Sequence, residues 1–153
     1  MSTEIKTNII NYIAATRWVS LATVRDDGAP VVRAIGGFAN DGLTVYFSTP
    51  KTAAKVEQIQ RHPLVTLFFQ HEGQELPAFK NAALIGSAAI LSPGADYDRA
   101  VRLLSERNPR FKERAAKGDL ADDTALVKVT PKEVKFLDFA KGFGPAALQE
   151  IIL

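Results

Sequence analysis

Lys51 and Lys55 stand four residues apart in Thr49-Pro50-Lys51-Thr52-Ala53-Ala54-Lys55, directly behind the apolar run Val45-Tyr46-Phe47-Ser48. That spacing is one helical turn, and Pro50 suits the first turn of a helix capped by Thr49 or Thr52. A helix N-terminus exposes unpaired N–H groups and the positive end of the dipole, so carboxylates are favoured there and lysines are not. A bound phosphate would resolve the mismatch by taking up the N–H groups and the two cations together. Arg33 adds a third positive charge from the strand-like run Val31-Val32-Arg33-Ala34-Ile35. A strand holds a guanidinium rigidly enough for bidentate contact with a phosphate. These features alone leave a second reading open, in which the three cations are solvated surface charges.

Other residue types that could do chemistry are less well placed. His62 precedes Pro63, and His71 stands in a polar stretch; with no carboxylate pattern around them they read as surface residues, and no metal site is expected. Ser20, Ser48, Ser87 and Ser92 lack both an elbow motif and a paired base. Asp26-Asp27 and Asp122-Asp123 read as turn residues. Gly142-Phe143-Gly144 has the look of a dinucleotide fingerprint, but too little chain follows it for a βαβ unit. Arg107, Arg110, Lys112, Arg114 and Lys117 form a basic cluster tempered by Glu106 and Glu113, which reads as a solvated helix face before it reads as a nucleic-acid contact.

The elements that must position these groups follow from the hydrophobic pattern. Ile5, Ile9, Ile10 and Ile13 recur at helical spacing behind Ser2-Thr3, a plausible N-cap. Trp18 to Val24, Val31 to Phe38 and Leu43 to Ser48 are β-rich, with turns at Asp26-Asp27-Gly28 and Asn40-Asp41-Gly42, so three strands are expected to form an antiparallel meander. The lysine-bearing helix comes next, stopped by His62-Pro63. It is followed by a strand from Leu64 to Gln70, an exposed loop from His71 to Pro77, and a strand from Ala82 to Leu91 interrupted by Gly86. A helical region from Ser92 to about Lys117 breaks near Asn108-Pro109. Two further strands, Ala125 to Val129 and Val134 to Phe139, flank Thr130-Pro131, and a short tail runs from Ala146 to Leu153.

The pattern predicts a mainly β fold with flanking α-helices, a small antiparallel β-barrel. With 153 residues, 46% of them hydrophobic, residues 1–153 are expected to form a single domain. The net charge of +2 makes any basic site local rather than global. The chain has no cysteine, which excludes disulfides, thiolate metal sites and a cysteine nucleophile. No apolar run is long enough to span a bilayer and the N-terminus does not read as a signal peptide, so the expectation is a soluble, cytoplasmic protein with no membrane or nucleic-acid partner.

The order of elements and residues resembles the pyridoxamine 5'-phosphate oxidase-like family of FMN-binding split β-barrels. The resemblance rests on Arg33-Ala34-Ile35, Val45 to Thr49, Lys55 and His62-Pro63-Leu64-Val65-Thr66-Leu67-Phe68-Phe69. It runs from about Trp18 to Leu91 and more loosely to Phe139. It implies that Arg33 and Lys55 hold the FMN phosphate with Ser48 and Thr49 beside it, and that the backbone from Arg33 through Ala34 to Ile35 faces the flavin ring. It also implies that Asn81 reaches a flavin bound mainly by the other subunit of a homodimer, with FMN at the subunit interface. Lys51 is not a fixed position of the family and joins the site on helix geometry alone.

Departures from the family pattern narrow the reading. Ala54 stands where the oxidases carry a second Arg, and Phe38 where they carry a Lys. No Arg-His pair follows Val134-Lys135-Phe136-Leu137-Asp138-Phe139, and the Tyr and Ser that hold the vitamin are not evident around Leu103 to Pro109. These departures set the chain apart from true pyridoxamine phosphate oxidases. The expected function is that of a flavin-dependent oxidoreductase acting on an unidentified small molecule or electron donor, with an open face near Trp18, Phe38 and Phe139 to Phe143 and with no catalytic residue named. The alternatives are a non-catalytic flavin carrier or redox sensor, the same barrel holding a deazaflavin or haem, and a nucleic-acid module built on Arg107 to Lys117.

Overall fold

The apolar stripe at the start of the chain forms helix α1 (Thr3–Ala14), which buries Ile9, Tyr12 and Ile13. The computed structural model describes residues 3–153, so the Ser2 half of the expected cap lies outside the described residues. Strands β1 (Val19–Val24) and β2 (Pro30–Ile35) pair as the expected hairpin, with Leu21 opposite Arg33 and Thr23 opposite Val31. Strands β3 (Phe38–Asp41) and β4 (Thr44–Pro50) make a second hairpin. Helix α2 (Ala54–Arg61), β5 (Leu64–Phe69) and β6 (Lys80–Ile90) follow. Then come α3 (Ala95–Arg107), α4 (Pro109–Ala116), the single turn α5 (Leu120–Asp123), β7 (Thr124–Asp138) and β8 (Leu148–Ile152).

The strands pair in the order β2-β1-β5-β6-β7-β4-β3, with β8 added beside β7. The expected three-stranded meander is therefore wrong. The run from Val31 to Phe38 breaks at Gly36-Gly37, and Phe38 opens a new strand that pairs with β4 rather than with β2. β2 and β3 lie at opposite edges of that seven-strand path, yet only two residues join them. A flat sheet would hold those edges about 29 Å apart, six gaps of about 4.8 Å. The link from Ile35 to Phe38 spans at most about 11 Å. The sheet must curl until its edges meet, and the result is a split antiparallel barrel.

Two other expectations are corrected. Ala125 to Val129 and Val134 to Phe139 are one strand of 15 residues rather than two. Pro131 is tolerated because it sits at a bulge: the register with β6 shifts between Ile85 and Gly86, and Lys132 is the extra residue. The tail is an ordered strand, β8, paired to β7 from Glu133 to Leu137.

One core fills the barrel. It joins Leu21, Phe47, Leu67, Phe69, Leu84 and Val134 from the strands to Ile9 and Ile13 of α1 and Ile59 of α2. A second cluster packs Ala100 and Leu104 of α3 on the outer side of β3, β4 and β7 through Ala39, Tyr46 and Leu126. Gly86 is the point of closest backbone approach, since a Cβ there would lie 2.5 Å from the Thr130 carbonyl oxygen. We expect Gly86→Ala to cost about 1–3 kcal/mol, the usual penalty for overpacking, measured as a lowered urea midpoint; unchanged stability would show that β7 can move away.

Candidate functional site

Strand alternation decides where Arg33 points. It lies opposite Leu21 and two pairs along from Thr23, on the same face, and both of these are fully buried. Arg33 therefore faces inward at the barrel rim rather than outward with exposed Val32 and Ala34. Its guanidinium donates from Nη1 to Thr23 Oγ1 at 2.6 Å and from Nη2 to Gln58 Oε1 at 3.1 Å. The Thr23 hydroxyl donates in turn to Gln58 Oε1 at 2.5 Å. Both acceptors are neutral. Arg33 is thus oriented without being neutralised, and burial lowers its pKa.

Gln58 comes from α2, and so does the second cation. Lys55 lies three residues before Gln58 on that helix, half-buried and without a carboxylate partner among the described residues. Its pKa is lowered first by burial and then by the charge of Arg33. The repulsion is felt at the lysine because an ammonium gives up its proton far more readily than a guanidinium. The start of α2 offers no relief: its N-cap is Ala53, which has no side chain to accept from the first N–H groups. At its other end the helix is tied down by Arg61 and by His62, whose Nε2 lies 3.0 Å from Asp26 Oδ1 in the β1–β2 turn. Two partly buried like charges beside an uncapped helix start on a fixed helix are an arrangement whose repulsion a bound anion would relieve.

The other expected site residues distribute unevenly around this pair. Thr49 is 4% exposed and its hydroxyl has no hydrogen-bond partner among the described residues. Ser48, its neighbour, points to the opposite side of β4, into a groove shared with Gly36, Gly37 and Trp18. Ile35 is buried. Lys51 is a correction: α2 begins at Ala54, Pro50 ends β4 opposite Thr124, and the Lys51 N–H donates to the Asp123 carbonyl at 2.9 Å. Lys51 and Lys55 therefore share no helix face, and neither Thr49 nor Thr52 caps the helix. Asn81 lies within β6, three strands from β2 across the sheet, and in one protomer it is not brought to the Arg33–Lys55 pair.

Thr23 and Gln58 went unread in the sequence. Each carried a signal: Thr23 is a polar residue in step with inward-facing Val19 and Leu21, and Gln58 shares a helix face with Lys55. Three further expectations are corrected. Phe38 is fully buried, with the Arg107 guanidinium carbon 4.3 Å from its ring centroid, so it lines no open face. Arg107 is no solvated charge either, since it donates to the Ala14 and Thr16 carbonyls at 2.6 Å each. His71 is not a simple surface residue: it stacks on Tyr12 at 3.7 Å, and its Nε2 lies 2.9 Å from the Tyr12 carbonyl oxygen.

The comparisons with known proteins agree with the architecture. The family model described as pyridoxamine 5'-phosphate oxidase matches residues 5–138. No curated protein matches the chain. A Clostridium acetobutylicum protein related to general stress protein 26 of B. subtilis (pyridoxinephosphate oxidase family) shares 15% identity at a TM-score of 0.73, covering 100% of this chain and 97% of that one. A heme binding protein from Mycobacterium smegmatis shares 16% at a TM-score of 0.75, covering 99% of this chain and 58% of that one. Campylobacter jejuni ChuZ shares 17% at 0.70, covering 99% and 61%. The chain thus spans about three-fifths of the last two.

The like-charge pair has a measurable consequence for stability. A lysine whose pKa is lowered on folding destabilises the folded state while it is charged, fully so below its folded pKa. The penalty shrinks as pH rises toward the ordinary lysine value of 10.5 and is absent above it. Lys55→Met should therefore raise the Tm of the ligand-free protein at neutral pH, with the gain narrowing as pH climbs through that window. A lower Tm for the variant at pH 7 would contradict an unrelieved repulsion.

Proposed function

The chain belongs to the pyridoxamine 5'-phosphate oxidase family, and from that premise we propose that it is an FMN-binding flavoprotein acting as an oxidoreductase on a small molecule. One observation carries the reading: Arg33 and Lys55 stand close together, partly buried, with neutral acceptors around Arg33 and no carboxylate partner for either among the described residues. The residues present fit a phosphate group, since Thr49 also holds an unpartnered buried hydroxyl at the end of β4. Arg33 and Lys55 would bind the phosphate, Thr23 and Gln58 would hold Arg33 in position, and the α2 N-terminus would supply backbone donors. The backbone of Ala34 and Ile35 would lie against the ring. The flavin, when bound, supplies the electron transfer itself.

Several features support a homodimeric single-domain protein in which Asn81 serves the partner's site. The outer face of the β2-β1-β5 half exposes apolar side chains, with Val32 65% and Leu64 53% accessible. A second protomer would cover such a face. Among the described residues no helix is long and apolar enough to cross a membrane, and we place the protein in the cytoplasm on composition.

Haem is the second reading, favoured by the heme binding relative from Mycobacterium smegmatis. Against it, both histidines are engaged, His62 with Asp26 and His71 with Tyr12 and Thr16. The absorption spectrum of the purified protein separates the two, with flavin bands near 450 nm expected and a Soret band as the overturning result. Arg33→Ala and Lys55→Ala should each weaken FMN binding by about 1–3 kcal/mol, read by flavin fluorescence titration. Wild-type affinity in both variants would remove the proposed phosphate site. Reduction of the bound flavin by NADH or NADPH tests the oxidoreductase reading, and a flavin that stays oxidised supports the carrier or sensor instead.

A further inference from the structure

A lysine at neutral pH is ordinarily a cation and a poor nucleophile, because its amine lone pair carries a proton. Lys55 departs from that rule for two reasons that the fold supplies. It is half-buried on α2 and it feels the charge of Arg33, so desolvation and repulsion both disfavour its protonated form. A carboxylate would offset both effects, and Lys55 has none as partner among the described residues. Lysines set beside another cation in a partly dry site are those that proteins use as amine nucleophiles.

Arg33 gives the neighbouring site its selectivity. Its guanidinium keeps its proton, and Thr23 Oγ1 at 2.6 Å and Gln58 Oε1 at 3.1 Å hold it at the barrel rim. Gln58 stands three residues after Lys55 on α2, so the guanidinium is braced against the helix that carries the amine. A phosphate bound to Arg33 therefore presents whatever is attached to it to Lys55. In a phosphate monoester that neighbour is an alkyl carbon, which an amine does not readily attack. In an acyl phosphate it is a carbonyl carbon, one oxygen from phosphorus, with phosphate as the leaving group.

We propose that the Arg33–Lys55 pair is a self-acylation site for small acyl phosphates, with the phosphate on Arg33 and the acyl group transferred to Lys55 Nζ. The neutral amine attacks the carbonyl carbon, and a C–N bond forms as the C–O bond to phosphate breaks. The amine proton leaves with the phosphate, so the products are an amide and inorganic phosphate, with no change of oxidation state. Arg33 stabilises the charge on the departing phosphate. The amide is uncharged, so acylation removes one of the two cations that hold an anion and ends its repulsion with Arg33. One step thus weakens the cradle for its ligand and relieves the ligand-free fold. The proposal rests on the cradle taking a phosphate group and goes beyond the flavin reading, which assigns Lys55 no chemistry.

The test incubates the whole chain, free of bound ligand, with acetyl phosphate and follows each lysine by peptide mass spectrometry. Lys55 should be acetylated faster than Lys51, an exposed lysine four residues earlier. Inorganic phosphate should slow Lys55 and leave Lys51 unchanged. Arg33→Ala should lower the Lys55 rate about tenfold, the effect of losing one charged hydrogen bond, again with Lys51 unchanged. With p-nitrophenyl acetate, an acyl donor that carries no phosphate, inorganic phosphate should protect neither lysine. A Lys55 rate no higher than that of Lys51, or one indifferent to inorganic phosphate, overturns the proposal. Should Arg33→Ala fail to fold, the phosphate competition decides alone. Flavin titration of the same preparation keeps the two readings apart. Selective acetylation in a protein that does not take FMN leaves this proposal standing, and FMN binding without selective acetylation leaves the flavin reading standing alone.

Discussion

Two glycines carry the chain from one edge of the sheet to the other, and that short crossing constrains everything else. With Ile35 ending β2 and Phe38 opening β3, the edges of the seven-strand path are forced within one short link of each other. Closure brings the rim of β2 under α2, and Gln58 can then reach across to Thr23 and Arg33. It also places the corner beneath Trp18, where any side chain at Gly36 would collide with the indole. The reach of Gln58 to Arg33 and the close approach of Trp18 to the corner both go with this one connection.

The site that results is held together by everything except charge balance. Thr23, Gln58 and the Asp26 clamp on α2 set the geometry, while Arg33 and Lys55 repel each other in a partly desolvated corner. Such an arrangement costs folding stability, and under the proposed function that cost goes with readiness for an anion, a common relation between stability and function. An anion arriving there meets cations that need no reorganisation before they bind it, and preorganisation of this kind favours affinity.

The juxtaposition of Arg33 and Lys55 was more legible in the sequence than the topology. Arg33 and Lys55 stood out because a cation amid apolar strand residues and a lysine at a helix start each break a local rule. Thr23 and Gln58 broke none, so only their contacts identify them. Lys51 was misread because Pro50 suits a helix start equally well as a strand end, and the pairing of Pro50 with Thr124, a partner far along the chain, decided the matter. The meander failed for the same reason: local turn signals give hairpins, but which hairpins lie side by side depends on β1 choosing β5 and β4 choosing β7. Pro131 looked like a strand break until the bulge opposite Gly86 accommodated it.

The long strand β7 has a kinetic consequence. It pairs with β6 along one side and with β4 and then β8 along the other, so the barrel has no continuous wall until residues 124 to 138 are in place. During synthesis the β3–β4 hairpin leaves the ribosome with a naked hydrogen-bonding edge, and some seventy residues must follow before its partner emerges. Contacts of such separation form slowly, and unpaired edges invite association with other chains in the interval. The order of translation, more than the final packing, therefore sets the moment at which this protein is most exposed to aggregation.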